Sequence, residues 1–343
     1  MGMAVPLDLE PMEAKLEDEI PEGEKWAYEP KWDGFRCLIF REGGDVQLRS
    51  KAGKPLGRYF PDIVSAALAL SAERFVLDGE VVIPAEGALS FDDLLLRIHP
   101  AASRVKKLAA ERPAEFIAFD LLADAGGTSL KDEPLAKRRQ ALDTFAAEHL
   151  AGASGFHLSP STSDIEAARR WLSSGREGLD GIIAKRIDLP YQAGKRTGMV
   201  KVKRLRTAEC VIGGFRWSKD GKRVGSLLLG LFDADGKLNH VGFCSSLKAA
   251  TRKEASELLP PLRGGKGFTG RAPNTESRWR KEGSGDWERV EPSVVVEVRY
   301  DHFTSGRFRH ATRFLRWRPD KPPQACTMEQ IEREGRSAMT LME

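Results

Sequence analysis

Short strand-like segments, each with a polar group at or beside its end, constrain this chain more than any other feature of its sequence. In order they read KWDGFR (31–36), LDGE (77–80), FIAFD (116–120), LDGIIAK (179–185), VKVK (200–203) and RPDK (318–321). Runs rich in β-branched and aromatic residues, bounded by turn formers, predict strands. The stretches between them have helical spacing. FPDIVSAALALS carries Pro61 near a helix start, FDDLLLRI reads as a short helix, and EPLAKRRQALDTFAAEHL carries Pro134 in its first turn. STSDIEAARRWLSSG opens on a capping box from Ser163 to Glu166 and closes on Gly175. Residues 1–206 therefore predict an α+β domain with mixed antiparallel sheets.

Past Arg206 the pattern changes to short strands, AECVIGGFRW, VGSLLLGLFDADGKLNHVGFC with its Asp-Gly turn, and SVVVEVRYDHF, with one helix near KAATRKEASELL. That inventory predicts a small β-barrel of OB-fold type over residues 207–343. The stretch 263–287 lacks apolar periodicity and reads as a long surface loop. Charge divides in the same way. Residues 1–200 carry 26 basic against 32 acidic side chains and residues 201–343 carry 28 against 18, nets of −6 and +10. A basic second half points to a polyanionic partner.

No apolar run approaches the ~20 residues of a membrane span, and the acidic start is unlike a signal peptide. Pro6 stands where a myristoylation signal needs Ser or Thr. Cys37, Cys210, Cys244 and Cys326 are far apart, without CxxC or zinc-finger spacing. They predict buried, reduced thiols in a cytoplasmic protein.

Lys31 is the residue in question, because K-x-D-G alone is most often an exposed turn. Six motifs that agree in identity, order and spacing are far more specific. The set resembles the covalent nucleotidyltransferase superfamily of ATP-dependent DNA ligases, RNA ligases and mRNA capping enzymes. Within it the chain is most similar to the small bacterial ligase C class and the ligase domain of ligase D, through LEPMEAKL, EPKWDGFR, KPLGRYFPDI and HPAASRVKKLA. The resemblance implies an ATP-grasp-like nucleotidyltransferase domain followed by an OB-fold domain that grips duplex DNA. Association with the nucleoid and a monomeric state are expectations that rest on the same resemblance.

It also implies roles. Lys31 would attack the α-phosphorus of ATP, giving a lysyl-AMP intermediate. A nucleophilic amine must be neutral, and burial with neighbouring positive charge from Lys201, Lys203 and bound metal is expected to depress it. Glu29 matches the reader of the adenine edge, Arg36 a ribose and phosphate contact, and Phe119 the ring that stacks on adenine. Glu80 and Asp180 would hold Mg²⁺ or Mn²⁺. The family usually has Glu at Asp180, so direct coordination, a water-mediated contact and help from Glu177 stay open. Lys185, Lys201 and Lys203 alternate with apolar residues, which puts Lys201 and Lys203 on one strand face, with the triphosphate to offset them. The usual Ser-Arg-Asn-Gly is Ser50-Lys51-Ala52-Gly53 here, so Lys51 keeps the charge and loses the fork. Arg318, Asp320 and Lys321 would orient the leaving pyrophosphate.

Only 30 residues precede Lys31, less than the domain with which NAD⁺-dependent ligases hold nicotinamide. The expected activity is sealing of 5′-phosphate/3′-hydroxyl nicks in DNA repair, alone or with other repair proteins. A capping or RNA-joining enzyme and an inactive nucleic-acid-binding module are the alternatives. Intact Lys31, Glu80, Lys201 and Lys203 argue against the last.

Overall fold

A computed structural model describes residues 5–85, 88–174, 176–204, 206–273, 287–332 and 335–342. The chain divides into two units, Met1–Arg204 with Gly335–Glu343, and Leu205–Glu334. The division falls two residues from the sequence expectation, but the last residues belong to the first unit and not, as expected, to the second. The reason is apolar. Met339, Leu341 and Met342 pack against a cluster of Trp32, Val82, Ile117, Phe119 and Leu179.

The first unit is α+β. In chain order it contains β1 (Lys15–Glu17), β2 (Trp26–Trp32), β3 (Phe35–Glu42), β4 (Asp45–Ser50), α1 (Pro61–Ala69), β5 (Arg74–Val82), α2 (Phe91–Arg97), α3 (Ala102–Glu111), β6 (Glu115–Ala123), α4 (Leu135–Phe145), β7 (Phe156–Leu158), α5 (Ile165–Ser173), β8 (Leu179–Arg186) and β9 (Met199–Lys203). One sheet runs β1-β9-β8-β2 and the other β4-β3-β5-β6-β7. The strands of the second sheet are apolar on both faces because both are covered. Cys37, Ile39 and Leu77 pack with Phe60, Ile63 and Phe145, from around α1 and from α4. Leu38, Phe40, Val76 and Leu122 point the other way, into a layer shared with Met12, Tyr191 and Met199.

Local signals account for most helix starts. Pro61 occupies the first turn of α1, and Ser90 caps α2 by accepting from the Asp93 N–H at 3.2 Å. For α5 the cap is Asp164, which accepts from the Glu166 N–H at 2.8 Å, so the expected Ser163 box is displaced by one residue. Gly175 lies outside the described residues. Pro134 sits one position before α4, which continues into a wider π-type turn, Ala146–Leu150. α3 was not expected from the sequence. It has no capping side chain at Ala101 and buries only Val105, so it lacks both signals.

The second unit carries β10 (Arg206–Trp217), β11 (Val224–Phe232), β12 (Leu238–Cys244), α6 (Ala249–Leu258), β13 (Val295–Tyr300) and β14 (Arg313–Trp317), in the sheet order β12-β11-β10-β13-β14. This is the expected OB-fold-type domain, although among the described residues no pairing joins its edge strands. Residues 274–286 of the expected surface loop lie outside the described residues. The part before them is not all surface: Phe268 is buried, packed where Gly213 and Gly230 leave room for its ring. All four cysteines are free and buried.

His240, in β12, is buried edge-on to Phe268, with neither ring nitrogen hydrogen-bonded. Burial first, then the charges of Arg307, Arg216 and Arg271, push it down to about 4. The folded value lies below the unfolded one, so its contribution to stability is intact above the ordinary histidine range and is lost as pH falls toward 4. Between pH 7 and pH 5 this amounts to about 2 kcal/mol. Denaturant unfolding of His240→Phe should show a correspondingly shallower loss of stability over that interval. Equal pH dependence in both proteins would contradict the assignment.

Candidate active site

Strand register explains how residues distant in sequence meet. β8 is central, with β2 and β9 on either side of it. Lys31 and Lys203 both lie opposite Gly181, and Glu29 and Lys201 both lie opposite Ile183. With side chains alternating, these rows put Glu29, Lys31, Lys185, Lys201 and Lys203 on one face. On the facing sheet Arg36 in β3 lies opposite Glu80 in β5, and Phe119 comes from β6. The two sets line a cavity of about 210 Å³ at the polar end of the apolar layer between the sheets. Glu29, Lys31, Arg36, Lys51, Glu80, Phe119, Lys185 and Lys201 all contribute to its wall. Lys31 is therefore not an exposed edge residue.

Asp180 and Lys203 do not line the cavity, but they stand against Lys31. The Lys31 ammonium donates to Asp180 Oδ2, and Lys203 Nζ lies 4.0 Å from the same oxygen. Asp180 reaches Lys31 because the β2–β8 register shifts between Leu179 and Gly181, breaking the alternation. Gly181 has φ +145°, and a Cβ there would lie 2.1 Å from the Val202 carbonyl oxygen.

The protein's own charges do not by themselves depress the Lys31 amine. Burial pulls the Lys31 amine down, but Asp180, then Glu80 and Asp33, outweigh it and leave it above the ordinary lysine range. The depressed amine is Lys201, lowered by burial and by Lys31, Lys203 and Lys51. The sequence showed the lysines; it did not show the carboxylate that register brings to Lys31. Burial pushes Glu80 up to about 7, against the opposing pull of Arg36 and Lys31.

The remaining residues are held by specific partners. Lys185 is buried, 2.8 Å from Glu29 Oε2, and donates to the Phe119 carbonyl at 3.1 Å. Its ammonium lies 4.7 Å from the Phe119 ring centre and the Arg36 guanidinium 4.4 Å from it, both within cation–π range. Lys51 pairs with Glu13 at 3.0 Å, and Glu13 also takes Arg196 at 2.8 Å. Arg318, Asp320 and Lys321 belong to the second unit and form their own cluster. Asp320 accepts from Arg318 Nη2 at 2.8 Å, while Glu209 takes Arg318 through one oxygen and Lys321 through the other at 2.6 Å.

Two buried carboxylates were not singled out from sequence. Asp78 accepts both prongs of Arg36 at 2.5 and 2.6 Å, and Asp120 accepts Arg138 at 2.8 and 2.9 Å. Both sit inside motifs, in LDGE and FIAFD, but their arginines lie in other elements.

Comparison with known proteins decides what such a site belongs to. The pattern of the ATP dependent DNA ligase domain matches residues 10–203, and that of the ATP dependent DNA ligase C terminal region matches residues 220–321. The chain belongs to the ATP-dependent DNA ligases. DNA ligase C2 of Mycolicibacterium smegmatis is 44% identical over 97% of this chain and 96% of its own length. The multifunctional non-homologous end joining DNA repair protein LigD of Mycobacterium tuberculosis is 33% identical over 89% of this chain and 38% of its own. A solved structure from a structure-function study of Lig E DNA ligases has the same fold, with TM-score 0.52 and 18% identity over 90% of this chain and 99% of that one.

The close approach at Gly181 makes a prediction for this ligase. Gly181→Ala must displace β9 and with it Lys201 and Lys203. Misplacement of about 1 Å in such a site costs on the order of 10²-fold, so strand joining should fall by about that factor. Gly44→Ala, whose Cβ meets no atom within 4 Å, should remain near parental activity in the same assay.

Proposed function

We propose that this ligase is adenylylated by ATP on Lys31 and seals 5′-phosphate/3′-hydroxyl nicks in duplex DNA, as a repair enzyme. The observation that carries this reading is the convergence of Lys31, Lys201, Arg36 and Phe119 on one cavity in a chain of this family.

Lys31 first gives up its ammonium proton to solvent past Asp180. The neutral Nζ then attacks the α-phosphorus; the N–P bond forms as the bond to pyrophosphate breaks, and pyrophosphate leaves with the electron pair. The proton shed by the new phosphoramidate nitrogen passes to water. Phe119 offers its ring to adenine and Glu29 a carboxylate to the adenine edge. Arg36, Lys51, Lys185, Lys201 and Lys203 supply positive charge for the phosphates. In transfers of this kind, positioning and electrostatics carry the rate. The DNA 5′-phosphate then takes AMP from Lys31, and the 3′-hydroxyl displaces AMP to close the strand. Arg318 and Lys321 already converge on one anion, Glu209, which supports a role for them in gripping pyrophosphate beside Asp320.

Glu80 and Asp180 suit a hard divalent cation such as Mg²⁺ or Mn²⁺, which takes oxygen ligands and completes its shell with water and phosphate. Glu80 lines the cavity and Asp180 presents its carboxylate to Lys31. Bound there, the ion would offset phosphate charge and draw the Asp180 carboxylate away from the Lys31 ammonium. The Glu177 side chain lies outside the described residues.

The test is nick sealing with ATP, GTP or NAD⁺ as the only nucleotide. Activity with ATP alone is expected; activity with GTP or NAD⁺ in its place refutes the reading. Binding to a nicked duplex should weaken on the order of 10³-fold between ~50 and ~200 mM salt. A salt-insensitive affinity would count against phosphate-backbone recognition.

A further inference from the structure

Asp78 is fully buried and accepts three hydrogen bonds, two from Arg36 and one from the Tyr191 hydroxyl at 2.5 Å. The same hydroxyl accepts from the Met12 backbone N–H at 3.0 Å. Met12 belongs to the N-terminal arm, and Pro11, Met12, Glu13 and Ala14 form one wall of the nucleotide cavity. Arg36, at the other end of the chain of bonds, lies over the Phe119 ring. Tyr191 belongs to none of the motifs and does not line the cavity. It is 8% exposed, in the loop between β8 and β9.

We propose that Tyr191 is a positioning residue for the nucleotide: its hydroxyl ties the arm wall to the carboxylate that holds Arg36 across the base platform. One buried oxygen thus sets two sides of the cavity. Arg36 is a long, flexible side chain on a strand that packs by its apolar residues, and a fork aimed at a fixed carboxylate loses that freedom before any ligand arrives. Without the hydroxyl, Asp78 keeps Arg36 but loses the bond that fixes its own rotamer. The Met12 N–H is then left without its acceptor. The cost falls on nucleotide affinity rather than on bond making, because Tyr191 touches no reacting atom.

This inference rests on the reading of the cavity as the ATP site, and the experiment separates the two. Equilibrium dialysis of labelled ATP with Mg²⁺ is run on the full chain carrying Lys31→Ala, so that no label is captured covalently. The parent is compared with Tyr191→Phe, Arg36→Lys and the double variant. Failure of the parent to bind ATP sinks the site itself. With binding present, Tyr191→Phe should raise Kd about tenfold, the scale of one hydrogen bond to a charged group. In the Arg36→Lys background, where the fork is gone, the same change should raise Kd less than threefold. A merely structural tyrosine would weaken binding equally in both backgrounds, and that result, or no change in either, overturns the proposal. Should Tyr191→Phe lack a cooperative melt, Asp78→Asn replaces it at the same node with the same two outcomes.

Discussion

Lys31→Ala is expected to abolish covalent labelling by ATP while leaving the closing step intact. The cavity offers other amines, so the outcome is informative. Lys185 is held by Glu29 and by the Phe119 carbonyl, and Lys51 pairs with Glu13. Lys201 is different. It lines the cavity, and burial with its neighbouring lysines holds its amine below the ordinary range. By pKa alone it would be the better nucleophile at neutral pH. Family membership and the position of Lys31 at the end of β2 favour Lys31. Labelled ATP followed by denaturing electrophoresis decides. No label on Lys31→Ala, with label surviving on Lys201→Ala at a rate lowered by about 10²-fold or more, is the expected pattern. The reverse pattern would move the nucleophile to Lys201. Sealing of a nick that already carries AMP on its 5′-phosphate requires no lysine nucleophile, and should persist in Lys31→Ala.

The largest effect on stability is expected at Asp120. Arg138 is 1% exposed and Asp120 3% exposed, and they meet in a forked pair inside the first unit. Burial alone would raise the Asp120 carboxyl, but Arg138, then Lys185 and Arg36, hold it below the ordinary carboxylate range. Asp120→Asn keeps the shape and removes the charge, leaving a guanidinium without its counter-ion in a low-dielectric interior. Removing one partner of such a pair costs about 3–5 kcal/mol, which in a unit of this size lowers Tm on the order of 10 °C. The sign with pH follows. The folded value lies below the unfolded one, so the stabilisation is present above the ordinary aspartate range and is lost as pH falls through the folded value. Asp120→Leu with Arg138→Met should recover only part of the loss, because Arg138 also donates to the Glu133 and Leu189 carbonyls at 2.8 and 3.4 Å. Thermal melts of the two variants beside the parent check this. A melt of Asp120→Asn within ~2 °C of the parent, less than 1 kcal/mol, would show the pair to be dispensable.

How much of this was legible in sequence depended on whether the signal was local. The strands around Lys31, Glu80, Phe119 and Lys201 declared themselves because β-branched runs and turn residues are local properties. So did Pro61 at the head of α1. α3 escaped because Ala101 caps nothing and Val105 is its single buried side chain. The return of Met339, Leu341 and Met342 to the first unit was hidden, since a short apolar tail does not announce which core it joins. The carboxylate beside Lys31 was hidden for a related reason. Asp180 is 149 residues away, and only the register of β2 on β8, with its local shift, brings the two together. Asp78 and Asp120 were in view as letters of the motifs, but their arginine partners are fixed by the facing strand and by α4.

Lys31 is the last residue but one of β2 and Arg36 the second of β3, and Asp33 and Gly34 turn the corner between the two strands and so between the two sheets. Gly34 can pass there because it has no side chain; a Cβ would lie 2.3 Å from the Val81 carbonyl oxygen. The corner acts as a spacer of fixed length. Relative drift of the two sheets is limited where the Lys31 amine and the Arg36 guanidinium line one cavity. A one-residue slip of either strand against its partner would send Lys31 or Arg36, with every other side chain of that strand, to the opposite face.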